Sequence, residues 1–258
     1  MTTTDVAVKS ADPQAPRLAR RAWVEQVMGM PVSVHVRAVD PTRPDLAAGV
    51  SRVFAHLRKV DAVLSTWRAD SDLLRLQHHE VEEAHPWLAD VTELCLEAED
   101  RTGGLFGAWR RRERGRLVFD PTGLVKGWAA AGAAAHLDVV PEVAYSIGAG
   151  GDVLVGAGRG SSAPVLWRIG IEDPRRAGEV AGVVTVRRGA VATSGAAARG
   201  AHVVDPRTGR GIRRSGSATV VGPELLWADV WATAAWVDPR RAERLLAHRD
   251  PDYALRIL

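Results

Sequence analysis

The sequence of 258 residues predicts a mixed α+β protein rather than a regular doubly wound sheet. Three observations carry this. Several long stretches space their apolar residues at helical intervals, whereas 143–221 is dominated by short β-like runs broken by glycine and proline turns. The two kinds of element do not alternate in the strict order a parallel sheet requires. No internal repeat and no linker divides the chain. With 46% hydrophobic residues it can bury one large core or two small lobes packed together.

In chain order, Val32, Val34 and Val36 alternate with Ser33, His35 and Arg37, as in a half-buried strand. From Pro44 to about Leu64, Leu46, Val50, Val53, Phe54, Leu57, Val60 and Leu64 fall at helical spacing. A second helix is expected from about Pro86 to Glu99, with proline at its start, where a missing N–H costs nothing, and an end at Thr102-Gly103-Gly104. A short hairpin across an arginine-rich turn leads to Asp120-Pro121-Thr122-Gly123 and an alanine-rich helix from about Leu124 to Leu137. Turns such as Asp205-Pro206-Arg207-Thr208-Gly209 punctuate the β-like region. A last long helix covers about Pro223 to Val237, and a short one follows Pro239.

Composition excludes several classes of function. Of 34 basic residues only Lys9, Lys59 and Lys126 are lysines, and 31 acidic residues leave a net charge of +3, a poor match to a nucleic-acid binder. The run Arg110, Arg111, Arg112, Glu113, Arg114, Gly115, Arg116 reads as a solvated turn. A single cysteine, Cys95, rules out an internal disulfide and reads as core packing. Residues 1–20, rich in Thr, Ala, Pro and charge, read as a disordered leader, with 21–258 as the folded unit. The first twenty residues contain no apolar stretch long enough for a signal peptide and no window elsewhere approaches a membrane-spanning length, so the expected location is the cytoplasm.

Four segments carry more chemistry than structure requires. Asp120 to Gly127 feeds a turn into a helix, offering backbone N–H groups and Lys126 to an anion, although its glycine spacing is not that of a P-loop. By itself Asp120 reads first as a helix N-cap. Gly148-Ala149-Gly150-Gly151-Asp152 reads as a hairpin turn or as a loop that a flat or anionic ligand approaches closely. Thr193-Ser194-Gly195, followed by Arg199, His202 and Asp205, offers an imidazole and an orienting carboxylate, or simply a structural histidine. Asp229 and Thr233 lie one helical turn apart, on one face, beside Ala232 and Ala234. Two hard oxygens with room for water or phosphate suit Mg²⁺ better than zinc or copper, though such a pair also arises by chance.

Taken together and in this order, these segments resemble the FAD:protein FMN transferase, or ApbE-like, family. The resemblance runs from about Gln26 to Val237. It includes Met28-Gly29-Met30, Ser65-Thr66-Trp67, Asp70 to Leu76, Thr102 to Phe106, Asp120 to Gly127 and Gly150-Gly151-Asp152. It continues through Ala192 to Gly195, His202 to Gly209, and Ala228-Asp229 with Thr233. Each match is short; their collinearity makes the signal specific.

The resemblance implies an α+β fold, one compact unit with a β-rich core and surrounding helices. It implies that Met28, Trp67, Leu105, Phe106, Gly107, Asp120, Lys126 and Ile212 bind FAD, and that the Gly123 carbonyl, Asp229 and Thr233 hold Mg²⁺. Lys126 and His202 would be catalytic, Lys126 neutralising the pyrophosphate and His202 taking the acceptor's proton. The implied reaction cleaves FAD, joins FMN to a Thr or Ser of an acceptor flavoprotein and releases AMP. With water as acceptor the same site is an FAD pyrophosphatase, and without turnover a flavin-binding protein. Trp67 replaces the family's usual tyrosine, Gly107 stands where Asp is usual, and the segment between Gly195 and His202 is short.

Overall fold

The computed structural model describes residues 17–111, 117–161, 165–195 and 203–258. Strand β1 (Ala19–Val27) begins inside the stretch expected to be a leader, of which residues 1–16 lie outside the described set. It pairs antiparallel with β2 (Met30–Ala38) through Met28-Gly29, whose φ values of 55° and 69° are both positive. Two residues at positive φ match the twist of a tight hairpin. Along β2 the valines are buried and the alternate residues are not, as their spacing predicts.

Helix α1 (Pro44–Leu64) starts on its proline and buries the predicted stripe. Helix α2 (Asp72–Gln77) is too short to show a period; Ser71 caps it by accepting the Leu74 N–H at 3.2 Å. Helix α3 (Trp87–Arg101) follows, then the hairpin of β3 (Trp109–Arg111) and β4 (Leu117–Phe119), whose connecting arginine turn lies outside the described residues. Helix α4 (Thr122–Asp138) precedes β5 (Ala144–Ala149), β6 (Asp152–Ala157), β7 (Trp167–Glu172), β8 (Val180–Val186), β9 (Gly189–Gly195) and β10 (Ser217–Gly222). Helices α5 (Leu225–Val237) and α6 (Pro239–Arg249) and strand β11 (Ala254–Ile257) complete the chain.

Seven strands form one antiparallel sheet in the order β1-β2-β5-β6-β9-β10-β11, so the fold is mixed α+β as predicted. Alternate residues of β9 and β10 point to opposite faces. Ala190, Ala192, Ala218 and Val220 face the main core with α1, α4 and α5, while Val191 and Val221 face the β7–β8 hairpin. Helix α5 sits innermost among the helices, buried along nearly all its length, and its sequence is apolar on every side. At Gly127 a Cβ would lie 2.8 Å from the Leu226 Cα and 2.9 Å from the Leu225 carbonyl oxygen. Only glycine lets α4 approach the start of α5 so closely. That approach sets Lys126 beside Asp229.

Candidate active site

A cleft of about 530 Å³ opens where several elements end together, within the usual size of a small-molecule site. One wall is apolar: Met28 from the β1–β2 turn, Leu64 from the end of α1, and Leu105 and Phe106 from the turn after α3. The other wall is polar and comes from the start of α4, the β5–β6 turn, the end of β9 and one face of α5. Met28 is a non-glycine residue held at positive φ, an uncommon conformation for which the tight turn is the cause. Trp67 stands at the rim, 90% exposed, as an indole surface beside the opening.

The polar wall is organised around Lys126. Its Nζ lies 2.5 Å from Asp152 Oδ2 and 3.4 Å from Asp229 Oδ1, and both carboxylates are almost wholly buried. Burial by itself would pull the ammonium down. The charges of Asp229 and Asp152, and their hydrogen bonds, outweigh it and hold the group above the ordinary lysine value. Asp152 is fixed in turn: its Oδ1 accepts the backbone N–H of Thr193 at 2.9 Å. Thr233 Oγ1 lies 3.3 Å from Ser194 Oγ, tying α5 to the end of β9.

The start of α4 differs in detail from expectation. Pro121, not Asp120, is the N-cap residue, and the helix begins at Thr122. Asp120 Oδ1 accepts the Thr122 N–H at 3.3 Å and its hydroxyl at 2.6 Å, while Oδ2 takes the Arg110 Nε–H at 2.8 Å. The N–H groups of Leu124 and Val125 turn back to the Pro121 carbonyl. Most of this turn's donors are therefore satisfied within the protein, and the cationic side chains that line the cleft are Lys126 and Arg110, each paired with a carboxylate. Arg110 belongs to the cleft although its sequence run reads as a solvated turn.

Of the residues expected to bind FAD, the cleft brings together Met28, Trp67, Leu105, Phe106, Gly107, Asp120 and Lys126. Ile212 does not line it. Its N–H donates to the Val203 carbonyl at 2.8 Å, and Val203 is the member of that pair that reaches the cleft. His202 lies outside the described residues. At Gly107 a Cβ would sit 2.9 Å from the Pro206 Cβ, so Pro206 fills the space a side chain there would need.

Gly123, Asp229 and Thr233 all line the same cleft. Among the described residues no group of three or more His, Cys, Asp or Glu side chains is arranged to hold a metal. A cation here would instead rest on one carboxylate, one hydroxyl and a backbone carbonyl, leaving positions for water and phosphate. Hard oxygens with few protein ligands fit Mg²⁺. Asp152 stands in the Gly150-Gly151-Asp152 segment that the sequence marks out, but its role as the partner of Lys126 has no signal there beyond a carboxylate between two apolar runs.

Among the described residues no helix is long and apolar enough to cross a membrane. The sequence model described as the ApbE family matches residues 28–109 and 107–257. The chain is 25% identical, over 297 aligned positions, to an FAD:protein FMN transferase of Klebsiella pneumoniae (strain 342), covering 91% of this chain and 83% of that protein. Its fold is similar to the solved ApbE protein of Thermotoga maritima, with a TM-score of 0.76, 19% identity and coverage of 93% and 94% of the two chains. It is also similar to the flavin transferase ApbE of Vibrio cholerae, with a TM-score of 0.69, 18% identity and coverage of 93% and 97%.

Proposed function

The chain belongs to the ApbE family, and on that premise we propose that it is an FAD:protein FMN transferase that uses Mg²⁺, joins FMN to a Thr or Ser of an acceptor flavoprotein and releases AMP. The observation that carries this is that one cleft is lined both by apolar side chains, Met28, Leu105 and Phe106, and by Lys126 and Asp229, with buried Asp152 against the lysine. A flavin ring needs the first, a pyrophosphate the second.

In this reading Met28, Leu105 and Phe106 take the flavin end of FAD, and Trp67 stacks on it from the rim. Lys126 neutralises the pyrophosphate, and Asp120 keeps Arg110 aimed into the cleft as a second cation. Asp229, Thr233 and the Gly123 carbonyl would hold Mg²⁺, which supplies Lewis-acid stabilisation of the charge that develops on the phosphate oxygens. The acceptor hydroxyl forms a new P–O bond to the flavin-side phosphorus as the P–O–P bridge breaks. AMP leaves with the bridging oxygen, and the hydroxyl proton passes to His202 as general base.

The test is incubation of the purified protein with FAD, Mg²⁺ and a threonine-containing acceptor, following AMP release, flavin fluorescence and acceptor mass. Samples without Mg²⁺ and with Asp229→Ala run alongside. AMP that depends on both, with acceptor gaining the mass of FMN, supports the proposal. AMP without acceptor modification points to hydrolysis instead. Saturable FAD binding with no AMP under any condition leaves a flavin-binding protein, and no FAD binding overturns the reading.

A further inference from the structure

We infer that Asp152 is a positioning residue that holds the Lys126 ammonium to the β6 side of the cleft, so that Asp229 serves a divalent cation instead of being neutralised by the lysine. This rests on the assignment of Asp229 to the metal made above. The geometry is asymmetric: Lys126 Nζ lies 2.5 Å from Asp152 but 3.4 Å from Asp229. Asp152 is wholly buried at the first position of β6, just after the Gly150-Gly151 turn at positive φ. Its other oxygen is anchored by the Thr193 N–H, on the neighbouring strand β9. Asp152 is thus held on the sheet at two points, by its own strand and by the Thr193 N–H.

Charge arithmetic gives the link its purpose. One ammonium faces two buried carboxylates, so Lys126 by itself does not neutralise both, and a divalent cation adds positive charge where it is in demand. Cation and lysine together then face a pyrophosphate that carries two negative charges. Without the Asp152 charge, Lys126 would turn to Asp229, and a cation would have to compete with the lysine for that carboxylate. Coulomb attraction at such distances is large inside a protein, so the competition is costly.

The experiment is calorimetric titration of the full-length protein with Mn²⁺ alone, as a Mg²⁺ surrogate, on four proteins: wild type, Asp152→Asn, Lys126→Met and the double variant. Asn keeps the shape of Asp152 and an oxygen for the Thr193 N–H. The expected order of affinity is Lys126→Met, then wild type level with the double variant, then Asp152→Asn, weaker than wild type by about 10- to 100-fold, the range seen when second-sphere partners of a metal site are removed. Recovery in the double variant is the decisive readout, because a merely structural role for Asp152 predicts that a second lesion recovers nothing. Equal affinity in wild type and Asp152→Asn, or a double variant no better than Asp152→Asn, overturns the inference while the proposed function stands. Should Asp152→Asn not fold, the remaining three proteins still decide: a double variant that binds Mn²⁺ far more weakly than wild type overturns it. A wild type that binds no Mn²⁺, with no Mg²⁺-dependent AMP release, overturns the metal assignment and the inference together.

Discussion

Gly107 and Pro206 meet where the turn after α3 faces the segment that follows β9. A Cβ at 107 would come 2.9 Å from the Pro206 Cβ, an atom of a pyrrolidine ring that has no free side-chain rotation with which to move aside. Gly107→Asp, the change that would restore the family's usual residue, is therefore expected to destabilise by about 1–3 kcal/mol, the range for overpacking a filled site. It is also expected not to raise AMP release. Denaturant unfolding and the FAD assay check the two parts, and a Gly107→Asp protein as stable as wild type would show that Pro206 yields. The same contact explains how this chain does without the carboxylate: its space is taken.

Two helices, α1 and α4, meet through an imidazole. His56 of α1 lies over Gly132 of α4, where a Cβ would come 2.8 Å from its Nε2. Its ring centroid is 5.4 Å from that of Trp87 on α3 and 5.7 Å from that of His136 on α4. Burial, then the charges of His136 and Lys59, lower the pKa of His56 below the ordinary histidine value. A depressed value means that the folded state binds fewer protons than the unfolded one in the window just below about pH 6.5. The contribution of His56 to stability is therefore complete above that value and is lost as pH falls through the folded pKa. The melting temperature of wild type is expected to fall more steeply than that of His56→Gln between about pH 7 and pH 5. Parallel curves for the two proteins would remove His56 from the account. The arrangement depends on Gly132, as the α4–α5 contact depends on Gly127, so α4 carries two glycines for packing.

At the scale of the whole molecule, Asp250 locks the helical layer at a point apart from the cleft. It accepts the Trp231 indole N–H of α5 at 2.7 Å and two hydrogen bonds, at 2.9 and 2.6 Å, from Arg101 at the end of α3. Arg101 also covers the Trp227 ring at 4.1 Å. Asp250→Ala is expected to cost about 2 kcal/mol, since it strands a buried indole donor and a guanidinium. That corresponds to a melting temperature lower by roughly 4–8 °C. FAD affinity below the new transition is expected to be unchanged, and a loss of binding there would mean that the helical layer and the cleft are coupled. What the sequence by itself determined here was whatever depends on neighbours along the chain: the period of α1, the alternation of β2, and the shared face of Asp229 and Thr233. Lys126 also stood out, as one lysine among many arginines. The tertiary structure decided what depends on neighbours across space. Asp152 reaches Lys126 through the placing of α4 against β6, Pro206 fills the room at Gly107, and Ile212 gives its N–H to the Val203 carbonyl. Spacing along a strand or helix fixes which face a side chain occupies, but the partner on the opposing element is chosen only when the core packs.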